Sequence, residues 1–137
     1  MSQAGYSGTP LTRKLGIKDG QSVIFVNPPA HYFDLLVDLP EVEILESPLE
    51  DSADFIHLFC THLEILEVHF DRLKTMLKKN GTFWVSWPKG SSKIKKELDG
   101  NIVRRYGLMH GLVDVKVCAV DADWSGLKFM YRLKDRK

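Results

Sequence analysis

The segment HLEILEVHFDRLKTMLKKNGTFWVSWP, residues 62–88, contains a helix-type pattern followed directly by a strand-type pattern. Apolar residues recur at helical spacing over residues 62–79, and charged residues take the other side. Asn80-Gly81 is a typical helix end. GTFWVSW (81–87) is typical of a strand, which Pro88 stops. We therefore predict a helix over 62–79 and a strand up to Pro88. The apolar positions of the helix are Leu63, Leu66, Phe70, Leu73 and Leu77.

The same alternation of patterns continues on both sides of this segment. A short opening helix is predicted over 10–15, with Thr9 as N-cap, Pro10 at the first helical position and Gly16 as the stop. The other predicted elements are strands at SVIFVN (22–27), EVEILES (41–47), DFIHLFC (54–60), LVDVKVCAV (112–120) and GLKFMYRL (126–133), and helices at HYFDLLVDLP (31–40) and 101–109, where Gly107 is a weak spot.

Strands that alternate with helices predict an α/β fold with a mainly parallel sheet, helices on both faces and right-handed crossovers. The loop DADWS (121–125) is short, which favours an antiparallel hairpin at the C-terminal end. We expect one domain over residues 1–137, in which residues 1–20 form an N-terminal arm and the short helix. At 137 residues, such a domain buries about two thirds of its unfolded surface.

Composition sets limits on partners and location. The chain has 19 basic and 18 acidic residues, so its net charge of +1 gives no general attraction to nucleic acid or to anionic membranes. The N-terminus lacks the features of a signal peptide, and no apolar run approaches the roughly 18 residues of a membrane span. We expect a cytoplasmic protein. Cys60 and Cys118 lie in strand-like apolar runs, which favours buried thiols over a disulfide.

The order of elements resembles the class I methyltransferase fold, a Rossmann-like architecture. LGIKDGQSVIFVN (15–27) is similar to the approach to that family's first strand, and LKKNGTFWVSW (77–87) to its helix-turn-strand after the fourth. The closing pair of strands corresponds to its antiparallel finish. The chain is shorter than the family by at least one strand-helix unit. This resemblance implies an S-adenosylmethionine-dependent methyltransferase as one possible function.

A second resemblance is carried by four short motifs. GYSGTPL (5–11), KLGIK (14–18), WVSWPK (84–89) and LVDVKVCAVDADWSGLK (112–128) together resemble a group of short uncharacterised bacterial proteins classed as a domain of unknown function. That resemblance brings no activity with it.

The turn after the first strand, NPPAHY (27–32), contains no glycine. In dinucleotide-binding sheets, a glycine-rich turn at this place lets the backbone approach the cofactor, and an acid about twenty residues later binds the ribose. Pro28 and Pro29 remove two backbone donors, so we expect the usual cofactor grip to be missing. Glu46, nineteen residues after Asn27, stands where the ribose-binding acid is expected, or is a solvated carboxylate. Asn27-Pro28-Pro29 is similar to the start of the Asn-Pro-Pro-Tyr motif of adenine methyltransferases. In that family the motif follows the fourth strand, whereas here it follows the first, so an adenine methyltransferase is disfavoured.

Other catalytic patterns are incomplete. Ser86 and Lys89 have Ser-x-x-Lys spacing, but Pro88 and the strand prevent the single helical turn that this chemistry needs. His57 and Cys60 point to opposite faces of a strand, and no second cluster completes a zinc site, so no metal is expected. The basic stretch 89–96 could hold a phosphate, but a solvated loop is favoured.

Several polar and aromatic residues follow strands whose carboxyl ends share one edge of the predicted sheet. Ligands of such folds bind at this edge, so we predict a ligand-binding cleft there. The alternative is that any parallel sheet collects polar turn residues at this edge and the tryptophans only cover the core. The candidate residues are Asn27, His31, Glu46, His62, Trp87, Lys89, Asp121, Asp123 and Trp124.

The sequence thus favours a noncatalytic or regulatory binding module for a small anionic ligand or a protein partner, without a cofactor. The alternative is a minimal methyltransferase that binds S-adenosylmethionine in an atypical pocket built around Glu46 and Trp87. A third possibility is a structural subunit that dimerises through an edge of the sheet. Nucleic acid and membranes are not expected as partners.

Overall fold

The computed structural model of the chain describes residues 10–136. Its strands are β1 (Ser22–Val26), β2 (Glu43–Ile44), β3 (Ala53–Phe59), β4 (Leu77–Pro88), β5 (Leu112–Ala119) and β6 (Trp124–Tyr131). Its helices are α1 (Leu11–Leu15), α2 (Tyr32–Leu35), α3 (Leu63–Met76) and α4 (Gly100–Met109), and a 3₁₀ turn covers Leu133–Asp135.

The strands form one sheet in the order β2-β1-β3-β4-β6-β5. The first four in this order are mutually parallel, and β6 runs antiparallel to both β4 and β5. This confirms the predicted Rossmann-like α/β fold with its final antiparallel hairpin. The chain moves outward from β1 to β2 and then returns to the other side of β1 with β3. Such a reversal creates a crevice at the carboxyl ends of β1 and β3.

Each face of the sheet buries its own apolar cluster, because parallel strands must be covered on both sides. Helices α1 and α2 cover one face, here called the α1 face, and α3 and α4 cover the other, the α3 face. Cys60 is buried in the α3-face cluster and Cys118 in the α1-face cluster, and both thiols are free. The prediction of two buried, unpaired cysteines is confirmed.

The junction between α3 and β4 differs from the prediction. The helix ends at Met76, and Leu77 is already extended and paired with Ala53 of β3. Gly81 is therefore a strand residue and not a helix cap. A side chain there would lie 3.0 Å from the carbonyl oxygen of Asp54, so glycine permits two backbones to approach closely. Burial of Leu77 in the α3-face cluster outweighs the helical tendency of the lysines that follow it.

Gly107 is a second place where the structure explains a glycine. The sequence treats it as a weak spot of α4, since glycine is a poor helix former. In the structure, α4 lies so close to β6 that a Cβ at Gly107 would come within 2.1 Å of the Phe129 ring. Asp99 caps the helix by accepting a hydrogen bond from the Ile102 backbone N–H at 3.0 Å. The glycine thus allows close packing of helix on sheet.

Other element boundaries shift by a few residues. Gly16 ends α1 in a left-handed conformation with φ of 82°, as predicted. Pro10 is the N-cap of α1 and not its first helical residue, and the predicted cap Thr9 lies outside the described residues. The strand predicted over 41–47 is reduced to the two residues of β2. Within residues 10–136, no helix has the length and apolar character needed to cross a bilayer.

Candidate functional site

The loops that follow β1, β3 and β4 lie along one edge of the sheet, the carboxyl edge. The β5–β6 turn joins them there, because Trp124 at the start of β6 pairs with Pro88 at the end of β4. Most of the predicted ligand-binding residues therefore lie along this edge, although their binding role stays a prediction.

Asn27 makes the turn at the end of β1. Its φ is +56°, a left-handed conformation that asparagine tolerates better than most residues other than glycine. We expected the usual cofactor grip to be missing from this turn, because Pro28 and Pro29 remove two backbone donors. The chain nevertheless bends at Asn27, just before the prolines, and the Asn27 side chain is exposed. The prolines remove backbone donors beyond the bend without preventing it.

His31 and Asp121 connect two loops that are far apart in the chain. The imidazole Nε2 lies 2.5 Å from the Asp121 carboxylate, and the side chains are 48% and 16% exposed. The same carboxylate accepts the backbone N–H groups of Asp123 and Trp124, each at 2.8 Å, and is thereby held in place. Because β3 and β4 lie between these loops in the sheet, the pair spans the carboxyl edge.

The loop between β4 and α4 is tied down across the same edge. The backbone N–H of Lys89 donates to the Asp123 carbonyl at 2.7 Å, and the Ser92 hydroxyl donates to the Asp123 carboxylate at 2.9 Å. Lys96 directs its ammonium to carbonyl oxygens of its own loop, at 2.9 and 3.2 Å. The basic stretch 89–96 is thus in part an internally bonded loop.

His62 lies at the start of α3, where this loop passes over it. The Thr61 hydroxyl is 2.7 Å from His62 Nδ1, and Glu97 is 3.7 Å from Nε2. The Glu97 backbone N–H donates to the Thr61 carbonyl at 2.8 Å, which holds the loop in this position. The imidazole is partly exposed and has a polar group beside each nitrogen.

The two tryptophans do not line one cleft as predicted. Trp87 packs in the α3-face cluster and Trp124 in the α1-face cluster, with 8% and 7% of each residue exposed. They lie on opposite faces because they belong to adjacent cross-strand pairs of β4 and β6, and side chains alternate along a strand. Both therefore belong mainly to the core. The atypical pocket predicted around Glu46 and Trp87 stays a prediction.

Glu46 lies at the outer end of the carboxyl edge. It is exposed and comes two residues after Ile44, which pairs with Val23 of β1. In the same register, Glu46 lies opposite Phe25, which is next to the last residue of β1. Glu46 therefore lies near the level of the Asn27 turn. Its role in binding a ligand stays a prediction.

A buried polar network below this edge was missed in the sequence. His57 Nδ1 lies 2.7 Å from the Tyr32 hydroxyl, and Nε2 lies 2.7 Å from the Ser86 hydroxyl. All three residues have no measurable exposure. No buried side-chain nitrogen or oxygen within residues 10–136 lacks a hydrogen-bond partner. The sequence does contain one indication of this network, which is His57 within the apolar run DFIHLFC. A buried polar side chain requires hydrogen-bond partners, so other buried polar residues were to be expected around it.

Burial lowers the pKa of His57 from 6.5 to about 3 and raises the pKa of the Tyr32 phenol above its usual range. Both groups are therefore neutral at physiological pH. The network cannot exchange protons with a substrate, since it has no contact with solvent. Its role is to fix α2 against β3 and β4, and thereby to position the Asn27 turn that precedes α2.

The depressed pKa of His57 predicts a pH dependence of stability. Between pH 6.5 and pH 3 the unfolded chain binds a proton at His57 that the folded chain does not, so stability falls as pH falls. From pH 6.5 to 5 this loss should be about 1.5 kcal/mol. Urea unfolding of the wild type and of His57→Gln across this range measures it, because other titrating groups are common to both. Equal pH slopes in the two proteins would exclude the assigned pKa.

Solved structures similar to this chain include several methyltransferases. An S-adenosylmethionine (SAM)-dependent methyltransferase from Aquifex aeolicus has a TM-score of 0.64 and 16% identity, over 89% of this chain and 88% of that one. The DhpI–SAH complex has a TM-score of 0.61 and 9% identity, over 90% and 83%. A Burkholderia thailandensis 1,6-didemethyltoxoflavin-N1-methyltransferase with bound S-adenosylhomocysteine (SAH) has a TM-score of 0.57 and 13% identity, over 87% and 73%.

These likenesses establish a class I methyltransferase fold. No family model and no curated protein matches the chain. The resemblance to short bacterial proteins of unknown function accordingly stays a prediction.

The neighbours also correct the expectation about a cofactor. We expected none, because the first turn lacks glycine. That expectation is contradicted, since these neighbours include a SAM-dependent enzyme and complexes with SAH, the product of SAM. They favour the alternative function, a minimal methyltransferase, over the noncatalytic module. The expectation rested on the missing glycine and on Pro28 and Pro29, whereas the left-handed bend is made by Asn27.

Proposed function

We propose that this protein binds SAM at its carboxyl edge and acts as a minimal methyltransferase. The observation that carries the proposal is the left-handed turn of Asn27, at the end of β1 and beside the crevice between β1 and β3. This is where doubly wound sheets bind nucleotide-type cofactors. Glu46 fits the cofactor as well, because its exposed carboxylate follows β2 and can accept hydrogen bonds from ribose hydroxyl groups.

The bound cofactor would supply an electrophilic methyl group for transfer to an acceptor. The residue we assign to the acceptor side is His31, whose ring is held by Asp121 and is about half exposed. A carboxylate that accepts from one imidazole nitrogen fixes the tautomer and leaves the other nitrogen to accept a proton. His31 would thus remove a proton from a hydroxyl or amine acceptor. The Asp121 carboxylate would keep the ring in position for this step.

The cofactor proposal predicts that SAH raises the melting temperature of the protein, because a ligand of the folded state stabilises it by mass action. Replacement of Glu46 by alanine should weaken SAH binding by about tenfold, as expected for the loss of charge-assisted hydrogen bonds to a ribose. The matched control is Glu50→Ala, which removes an exposed carboxylate from the same loop. Calorimetric titration measures the SAH affinity of the wild type, Glu46→Ala and Glu50→Ala.

Two results would contradict the proposal. The first is the absence of any heat or melting shift with SAH at millimolar concentration. The second is equal SAH affinity in Glu46→Ala and the wild type, which would place the ribose elsewhere.

A second candidate is a noncatalytic binding module for a small anionic ligand or a protein partner, which transfers no methyl group. It is favoured by Pro28 and Pro29, which remove two of the backbone donors that a cofactor turn normally offers. Transfer of a radiolabelled methyl group from SAM to hydroxyl and amine acceptors separates the candidates. Loss of transfer in His31→Gln, with SAH affinity retained, supports the enzyme.

A further inference from the structure

Two lysines of the C-terminal hairpin lie directly opposite each other. Lys116 of β5 pairs with Lys128 of β6, and Lys128 pairs on its other side with Trp84 of β4. Trp84 belongs to the α1-face cluster, and directly paired residues of antiparallel strands point to the same face. Both lysine side chains therefore extend from the α1 face, with Cβ atoms about 5 Å apart.

Further positive charge comes from the segment that covers this face. Lys14 of α1 donates from its ammonium to the carbonyl oxygen of Ala119 at 3.2 Å, which holds α1 beside β5. Lys18 follows α1 on the way to β1. The pKa of Lys128 is lowered, first by partial burial and then by the charges of Lys116 and Lys18. Lys116 and Lys18 are thus close enough to Lys128 for their charges to act on it.

Nothing described on this face neutralises the three charges by direct pairing. Within residues 10–136, no carboxylate forms an ion pair with Lys18, Lys116 or Lys128. Like charges placed directly opposite on a sheet are destabilising. The free protein therefore carries an unfavourable arrangement that a bound anion would relieve.

We propose that Lys18, Lys116 and Lys128 form a binding site for a polyvalent phosphate group, either free or carried by a nucleotide. Each ammonium offers three hydrogen-bond donors on a compact charge, which suits phosphate oxygens. The site is separate from the proposed cofactor site, because Lys128 lies in the middle of β6 and not at the carboxyl edge. It would bind its ligand independently of SAM.

The test compares the wild type with Lys116→Gln and with the control Lys95→Gln, which removes an exposed lysine from the loop before α4. Each protein is titrated at low salt with sodium tripolyphosphate and, in a separate arm, with ATP free of magnesium. We expect binding by the wild type and by Lys95→Gln, and roughly tenfold weaker binding by Lys116→Gln, since one of three charge-assisted contacts is lost. Tighter binding of ATP than of tripolyphosphate would identify a nucleotide as the carrier, and equal binding would identify the phosphate chain alone.

A second readout separates a binding site from ordinary surface lysines. Without ligand, Lys116→Gln should melt at a higher temperature than the wild type at low salt, because repulsion is removed, and this difference should shrink as salt is added. Tripolyphosphate should raise the pKa of Lys128, followed by NMR of the side-chain amine. Equal tripolyphosphate affinity in all three proteins, or no binding by the wild type, would overturn the proposal.

Discussion

Replacement of His57 by alanine is expected to lower the free energy of unfolding by about 4 kcal/mol, close to the whole stability of many small domains. The change leaves the hydroxyl groups of Tyr32 and Ser86 buried without their partner, and each orphaned group costs about 1–3 kcal/mol. It also leaves a cavity where the imidazole stacks on Phe59 at a ring distance of 4.1 Å. Urea unfolding followed by tryptophan fluorescence measures the loss.

A matched variant separates the polar effect from the cavity. The triple variant His57→Leu, Tyr32→Phe and Ser86→Ala removes all three polar groups together and fills most of the space. It should recover at least half of the stability lost in His57→Ala, because an apolar replacement leaves no orphaned donor or acceptor. A loss of under 1 kcal/mol in His57→Ala would show that the network contributes little.

Replacement of Gly107 by alanine should destabilise the protein by at least about 2 kcal/mol, although alanine is the better helix former by about 1 kcal/mol. The added methyl carbon would lie 2.1 Å from one carbon of the Phe129 ring and 2.4 Å from another. Phe129 is fully buried and cannot move aside, so α4 must shift away from the sheet. Thermal and urea unfolding of the variant measure the cost.

A control variant and a compensating variant test whether the Gly107–Phe129 contact is the cause. Gly90→Ala adds a methyl group where nothing lies within 4 Å, so its effect should stay within about 0.5 kcal/mol. Phe129→Leu makes room for the methyl group, and the double variant should lose less stability than the sum of the two single losses. Strict additivity would show that Gly107 and Phe129 do not compete for the same space.

Periodicity predicted most of the fold, because the long elements are strongly patterned. α4 and the closing hairpin lie within a few residues of their predicted positions. Local pattern failed where long-range packing decided the conformation. The pairing of Leu77 with Ala53 converts three predicted helical residues into strand, and the ring of Phe129 explains Gly107.

The sequence predicted which edge of the sheet brings the candidate residues together, but it did not predict the contacts between them. The strand ends do bring the Asn27 turn and the Asp121–Asp123 turn to one edge, as the topology requires. The contact between His31 and Asp121 joins residues 90 positions apart, and no local pattern indicates such a pair. The left-handed conformation of Asn27 likewise could not be predicted from the sequence, because asparagine adopts left-handed, right-handed and extended backbone conformations.

The brevity of β2 has a consequence for the motions of the native state. Its ladder with β1 comprises Ser22 with Glu43 and Val23 with Ile44, so separating these two pairs frees that border of the sheet. The central strands are held by longer ladders, so we expect this border to open locally and exchange its amide hydrogens before the central strands do. A ligand that contacts both Asn27 and Glu46 would hold β2 against β1. Its binding free energy would therefore include the cost of suppressing this local opening.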